Sequence, residues 1–286
     1  MILYNQVIVI GYGLVTRDVL SYIDSISDRY DYSVTYVEHE KYPFNGAKKY
    51  AESNNLEYLT IEDKNELTLF ISKRAELGHL LIVSASNNFL FPKNIVENKN
   101  IKIVNFHNAL LPNLPGRNAP TWAIYNGYDK TGITWHYVDA EIDTGDIIIQ
   151  KECTIDSDTR AYELVTVQMK LAGDAFKECF EKILDNSVIT KKQDFDPNRK
   201  VYKSSEIPSD GMFDINDSAE NIYRLLRAMD YGKNNIFPQS TTIYNGHTIT
   251  VKRYKMVSSE EKKDSANKLY IPFGDDKFLM LRYDMK

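Results

Sequence analysis

The chain of 286 residues is long enough to bury one sizeable core with a smaller appendage, or two domains. Its 43% hydrophobic and 26% charged content is ordinary for a globular protein, and a formal net charge of -5 supplies no general basic field for a nucleic acid backbone. Cys153 and Cys179 lack CxxC or paired-His spacing, which argues against a disulfide framework and against zinc. No metal is expected, and with no basic leader and only the short apolar run Gln6–Ile10 near the start, cytoplasmic residence without a membrane partner is the expectation.

In chain order, Val7–Ile10 predicts a buried strand that leaves through Gly11-Tyr12-Gly13 into a helix over Leu14–Ile26. A dinucleotide fingerprint requires a third glycine where Thr16 stands, so the turn predicts a tight strand-to-helix exit rather than a nicotinamide site. Ser33–Val37 predicts the second strand, ending at Glu38, and the turn-rich stretch from Pro43 to Glu57 predicts a short helix. Leu67, Phe70, Ile71 and Ala75 have helical spacing, and Leu80–Val83 predicts the next strand. This alternation predicts an α/β fold with a doubly wound, mostly parallel sheet.

Ser84–Pro92 is a polar loop turning apolar, followed by the apolar β-branched run Ile101–Val104. Asn105 and His107 then fall at the carboxyl end of that strand on one face, where open parallel sheets bind ligands. Thr131–Val138 alternates as a strand, and the acidic loop from Asp139 to Asp146 precedes the strand Ile147–Gln150. That loop can return Asp143 toward His107. An amide, an imidazole and a carboxylate then suffice for acyl transfer to an amine, the amide holding the oxyanion and the other two managing protons. The plain structural alternative is that Asn105 and His107 cap a strand end and Asp143 makes a turn.

Ser157-Asp158-Thr159 predicts the start of a helix running to about Leu184, with Leu164, Val167, Leu171, Ala175, Cys179 and Ile183 as its apolar stripe. Thr190–Lys203 has no periodicity and reads as a linker, giving a catalytic domain over 1–200 and a subdomain over 201–286. In the latter, Asp217-x-x-Glu220 predicts a capping box for a helix carrying Ile222, Leu225, Leu226 and Met229. Asn245-Gly246 predicts a hairpin turn within a small, mostly β subdomain of open-barrel character.

The string Asn105-x-His107-x-x-Leu110-Leu111-Pro112-x-x-x-Gly116, then Trp122-Ala123-Ile124, Thr131-Gly132-Ile133-Thr134-x-His136 and Asp143-Thr144-Gly145, resembles the folate-dependent formyltransferase family. That family includes glycinamide ribonucleotide transformylase, methionyl-tRNA formyltransferase and the sugar N-formyltransferases. The resemblance implies catalytic roles for Asn105, His107 and Asp143, and N10-formyltetrahydrofolate as co-substrate. It implies that Asn87, Phe89 and Leu90 of the polar loop, with Ala140 and Glu141 of the acidic loop, lie at the folate. Asn108, Arg117 and Arg227 are the residues expected at the acceptor, and His136 is expected to support the site.

Asn108 stands where many relatives carry Pro, and Gly116-Arg117-Asn118-Ala119 is most similar to the nucleotide-sugar members. The resemblance therefore implies formyl transfer to a nucleotide-linked amino sugar used in surface polysaccharide such as the lipopolysaccharide O-antigen. The competing readings are a methionyl-tRNA formyltransferase and a formyltetrahydrofolate hydrolase. A small-molecule acceptor is the expected partner in place of a nucleic acid, and a homodimer is compatible with the family.

Overall fold

The computed structural model describes residues 4–42, 45–234, 236–263 and 265–285. Its elements run β1 (Gln6–Gly11), α1 (Gly13–Ser25), α2 (Ser27–Tyr30), β2 (Ser33–Glu38), α3 (Gly46–Ser53), β3 (Glu57–Thr60), α4 (Lys64–Glu76) and β4 (Leu80–Ala85). They continue α5 (Lys93–Val96), β5 (Ile101–His107), α6 (Ala119–Tyr125), β6 (Lys130–Tyr137), β7 (Ile147–Thr154), α7 (Ala161–Leu184) and α8 (Ala219–Met229), and finish with β8 (Thr241–Tyr244), β9 (His247–Ser258), β10 (Lys268–Pro272) and β11 (Lys277–Met285). Of the turn-rich stretch from Pro43 to Glu57, Pro43 and Phe44 lie outside the described residues.

The chain forms two compact units. The first comprises Met1–Pro115, Gly132–Cys153 and Val167–Val201, and the second Gly116–Thr131, Thr154–Thr166 and Tyr202–Lys286. The units are therefore assembled from alternating segments rather than from two consecutive stretches.

In the first unit the sheet order is β3-β2-β1-β4-β5-β6-β7. The pairs β1–β2, β1–β4, β2–β3 and β4–β5 are parallel, and β5–β6 is antiparallel. Because side chains alternate along a strand, Val7 and Val9 enter one core with Trp135, Phe176 and Phe180, while Ile8 and Ile10 enter another with Leu67, Ile71 and Ile103. Both faces of the sheet are thus covered, which accounts for the near-continuous apolar runs in its central strands. The mostly parallel, doubly wound α/β sheet expected from the sequence is the observed one.

The exit from β1 explains the missing third glycine. A Cβ on Gly11 would lie 1.7 Å from the Ala85 carbonyl oxygen, and the Thr16 hydroxyl donates to that same oxygen at 2.6 Å. Thr16 thereby ties the first turns of α1 to the end of β4. Glu38, where a ribose-binding acid would be sought, is buried, which raises its carboxyl pKa, but hydrogen bonds led by those from Tyr58 and Asn45 together outweigh this and hold it below the ordinary range.

In the second unit β8–β11 form an antiparallel sheet of order β10-β11-β9-β8. Ile222 and Leu226 of α8 pack on Val251, Leu279 and Leu281 of that sheet, as the four-residue spacing of the helix predicts. Asn245 and Gly246 both have positive φ, 49° and 78°, the backbone a two-residue hairpin turn needs. The expected capping box is displaced: Ser218, not Asp217, is the N-cap, its Oγ accepting from the Asn221 N–H at 3.2 Å. Asp217 instead accepts from the Ser218 N–H and the Asn221 side chain.

Candidate active site

Along one face of β5 the side chains run Ile101, Ile103, Asn105, His107, changing from apolar to polar where the core ends. Asn105 is half-buried and His107 is 5% exposed, so both are oriented by protein rather than by water. Ser84 of β4 and His136 of β6 stand in register on either side of Asn105. The Ser84 hydroxyl lies 2.8 Å from Asn105 Oδ1, and Asn105 Nδ2 lies 3.1 Å from His136 Nε2.

Asp143 completes the cluster. Its carboxylate places Oδ2 3.5 Å from His107 Nδ1 and Oδ1 3.5 Å from His136 Nε2, with 10% of the side chain exposed. The loop that carries it has a left-handed residue at Asp143, φ 54°, and a glycine that the packing requires. A Cβ on Gly145 would meet the Tyr137 carbonyl oxygen at 1.9 Å. Gln193 donates through Nε2 to the carbonyls of Asp143 at 3.0 Å and Gly145 at 2.7 Å, and Arg199 donates to the Ile142 carbonyl at 3.1 Å. The stretch read as a linker from sequence therefore clamps the loop that delivers Asp143.

The rings also constrain where protons sit. His107 Nε2 faces the Leu114 carbonyl at 2.9 Å, which can only accept, so Nε2 carries hydrogen. His136 Nδ1 faces the Tyr137 carbonyl at 2.8 Å and carries hydrogen for the same reason. The remaining nitrogens, His107 Nδ1 and His136 Nε2, both point at Asp143. His136 Nε2 also faces Asn105 Nδ2 at 3.1 Å.

The other sequence-designated residues are distributed as follows. Asn87 is half-buried, its Nδ2 3.4 Å from Ser84 Oγ and its Oδ1 accepting from the Phe89 N–H at 3.1 Å. Phe89 is buried in the sheet core, edge-on to His39 and Phe91, whereas Leu90 is 74% exposed. Ala140 and Glu141 are exposed on the acidic loop, and Asn108 is half-buried with its carbonyl accepting from Gln168 at 2.8 Å. Arg117 and Arg227 belong to the second unit. Arg117 is exposed, with its N–H bound to the Tyr202 carbonyl at 2.9 Å. Arg227 is buried, and its guanidinium donates to the Thr159 carbonyl at 2.8 Å. Burial depresses the Arg227 pKa below its usual value.

Ser84 and Gln193 were not singled out in the sequence. The signal for Ser84 is weak but present, a hydroxyl ending the apolar run of β4 in the row that faces Asn105; Gln193 has no local signal at all.

Residues 31–177, more than half of the chain, match the family described as Formyl transferase. A methionyl-tRNA formyltransferase of Clostridioides difficile (strain 630) is 30% identical over 197 residues, 68% of this chain and 61% of the relative, so the match spans about three-fifths of that relative's length. Among solved structures, an N-formyltransferase from Helicobacter canadensis, in complex with folinic acid and dTDP-3-aminofucose, is similar with a TM-score of 0.74 and 18% identity, covering 99% of this chain and 100% of that one. A 4-N formyltransferase from Francisella tularensis has a TM-score of 0.67 and 23% identity, covering 86% and 96% of the two chains. The chain belongs to the formyl transferase family.

Proposed function

We propose that this protein transfers a formyl group from N10-formyltetrahydrofolate to the primary amine of a nucleotide-linked amino sugar, with Asn105, His107 and Asp143 carrying the chemistry. The observation that carries the reading is the convergence of amide, imidazole and carboxylate at the end of β5 in a chain of this family. The amine nitrogen attacks the formyl carbon, and the carbonyl electron pair moves to oxygen. Asn105 Nδ2–H donates to that oxyanion, while Asp143 orients His107 beside it. Collapse breaks the carbon–N10 bond, and the proton lost by the amine passes through Asp143 to the departing folate nitrogen.

Support for a sugar acceptor comes from the Helicobacter canadensis enzyme, similar in fold over 99% of this chain, whose complex holds dTDP-3-aminofucose. The net charge of -5 points the same way, since a tRNA is recognised first through its phosphates. The sequence relatives favour methionyl-tRNA as the second reading.

The test is incubation with N10-formyltetrahydrofolate and a panel of nucleotide amino sugars, with charged initiator tRNA as a separate arm. Gain of one formyl group by an amino sugar is the expected result. Formylation of the tRNA, with steep loss of rate as salt is raised, replaces it with the second reading. Release of formate in the absence of any amine identifies a hydrolase.

A further inference from the structure

Asn105 can serve an oxyanion only if its amide presents nitrogen rather than oxygen, and an isolated side-chain amide has no intrinsic preference between the two. The surrounding hydrogen bonds decide it, and they can be followed from one backbone anchor to another. The Phe89 N–H is a donor and nothing else, so Asn87 turns Oδ1 toward it at 3.1 Å. That leaves Asn87 Nδ2 facing the Ser84 hydroxyl at 3.4 Å, and the hydroxyl must accept there. Its own hydrogen is then directed at Asn105 Oδ1, 2.8 Å away. From the other end, the Tyr137 carbonyl fixes hydrogen on His136 Nδ1 at 2.8 Å, and Asn105 Nδ2, left as the donor by Ser84, faces His136 Nε2 at 3.1 Å.

We infer that Ser84 and Asn87 are positioning residues: with His136 they form a hydrogen-bond chain of fixed polarity that locks Asn105 as a donor and leaves one Nδ2 hydrogen for the reacting carbonyl oxygen. This inference deepens the proposed formyl transfer and rests on it for its kinetic consequence. Both ends of the chain are backbone groups whose donor or acceptor character cannot change, so the polarity is set by the fold. Each link joins neighbours in the sheet or in the β4 exit loop: Ser84 opposes Asn105, and Asn105 opposes His136. Among the described residues, Asn105 has no other side-chain hydrogen bond than these two, so the second Nδ2 hydrogen is available to a ligand. The chain also links the loop that follows β4 to the oxyanion donor, because Asn87 bonds the backbone of Phe89. A shift of that loop would release the Asn105 amide.

The arrangement predicts a distinctive pattern for Ser84→Ala. The amide loses its only acceptor-side restraint, and kcat falls about tenfold, the consequence expected of one neutral hydrogen bond, while KM for the folate stays within about threefold. Ser84→Thr, which keeps a hydroxyl, restores kcat to within about threefold. On an Asn105→Asp background, where no amide remains to orient, Ser84→Ala produces no further loss. Equal losses on both backgrounds, or no loss from Ser84→Ala in the native background, overturn the inference.

A second readout does not depend on activity. In 15N-labelled protein, the Asn105 side-chain amide pair is assigned by its disappearance in Asn105→Asp. In Ser84→Ala those two signals move together and broaden as the amide becomes free to rotate, and in Ser84→Thr they return toward their original positions. Signals that coincide with wild type in Ser84→Ala overturn the inference. A protein that shows the spectral change yet formylates no amine leaves the chain standing and overturns the function proposed above.

Discussion

Asn105 and His136 oppose each other across the antiparallel β5–β6 ladder, and their side chains meet at 3.1 Å with His136 2% exposed. The pairing makes the histidine more than packing, because it gives a hydrogen of the half-buried Asn105 amide its acceptor. His136→Phe keeps a ring but leaves that hydrogen unserved, which costs about 1–3 kcal/mol. His136→Gln can still present a carbonyl oxygen and is expected within about 1 kcal/mol of wild type. Equilibrium denaturation of the two variants checks the contrast, and equal stability of both would remove the hydrogen bond from the account.

Gly145 owes its identity to a close approach, since any Cβ there would fall 1.9 Å from the Tyr137 carbonyl oxygen. Gly145→Ala must displace the backbone of the acidic loop, and Asp143 moves with it. Because misplacement of a reacting group by about 1 Å can cost on the order of 10² in rate, kcat for formyl transfer is expected to fall by that much. Circular dichroism should show the sheet intact. A variant with normal kcat would mean that Asp143 does not need its observed position.

Gln193 holds the same loop from outside through two carbonyls, 3.0 and 2.7 Å away. Gln193→Ala removes both donors and is expected to destabilise the loop locally by about 1–3 kcal/mol. Hydrogen exchange over residues 139–146 should accelerate while the amides of β1 and β4 keep wild-type protection. Uniform acceleration throughout the sheet would instead assign Gln193 to global stability.

These loop contacts mark where sequence reading ends. Asn105 and His107 were legible because a strand places alternate residues together, and the apolar run before them fixed where the polar pair emerges. The motif also placed Asp143 among the candidates, but not the path by which its loop returns. Gln193 and Arg199 lie in a stretch without periodicity, and no local rule connects an aperiodic segment to carbonyls some fifty residues earlier. β3 escaped notice for a different reason: Glu57–Thr60 is a short edge strand whose residues are exposed or only half-buried, so no apolar run announces it. The composition of the second unit was equally hidden, because segments 116–131 and 154–166 join it by packing rather than by succession.

Glu181 gives a pH prediction separate from the active site. It pairs with Arg29 and Tyr30 and accepts from Tyr22 at 3.2 Å, and these partners, Arg29 foremost, lower its pKa from 4.5 to about 2. A depressed carboxyl pKa stabilises the fold above the unfolded value and loses that contribution as pH falls from about 4.5 toward 2. The side chain is 39% exposed, so solvent screening limits the effect to about 1 kcal/mol or less. Denaturation midpoints of Glu181→Gln and wild type should differ at neutral pH and converge toward pH 2. A constant difference across that range would contradict the assignment.

If Asn105 stabilises the oxyanion of a formyl group passing from folate to an amino sugar, its loss shows in single-turnover transfer from N10-formyltetrahydrofolate to a dTDP-linked amino hexose, measured for wild type and Asn105→Ala with folate affinity in parallel. Wild type is expected to form formylated sugar and the variant to do so about 10²–10³ more slowly, at unchanged folate affinity. Transfer by Asn105→Ala within a few-fold of wild type would contradict this role.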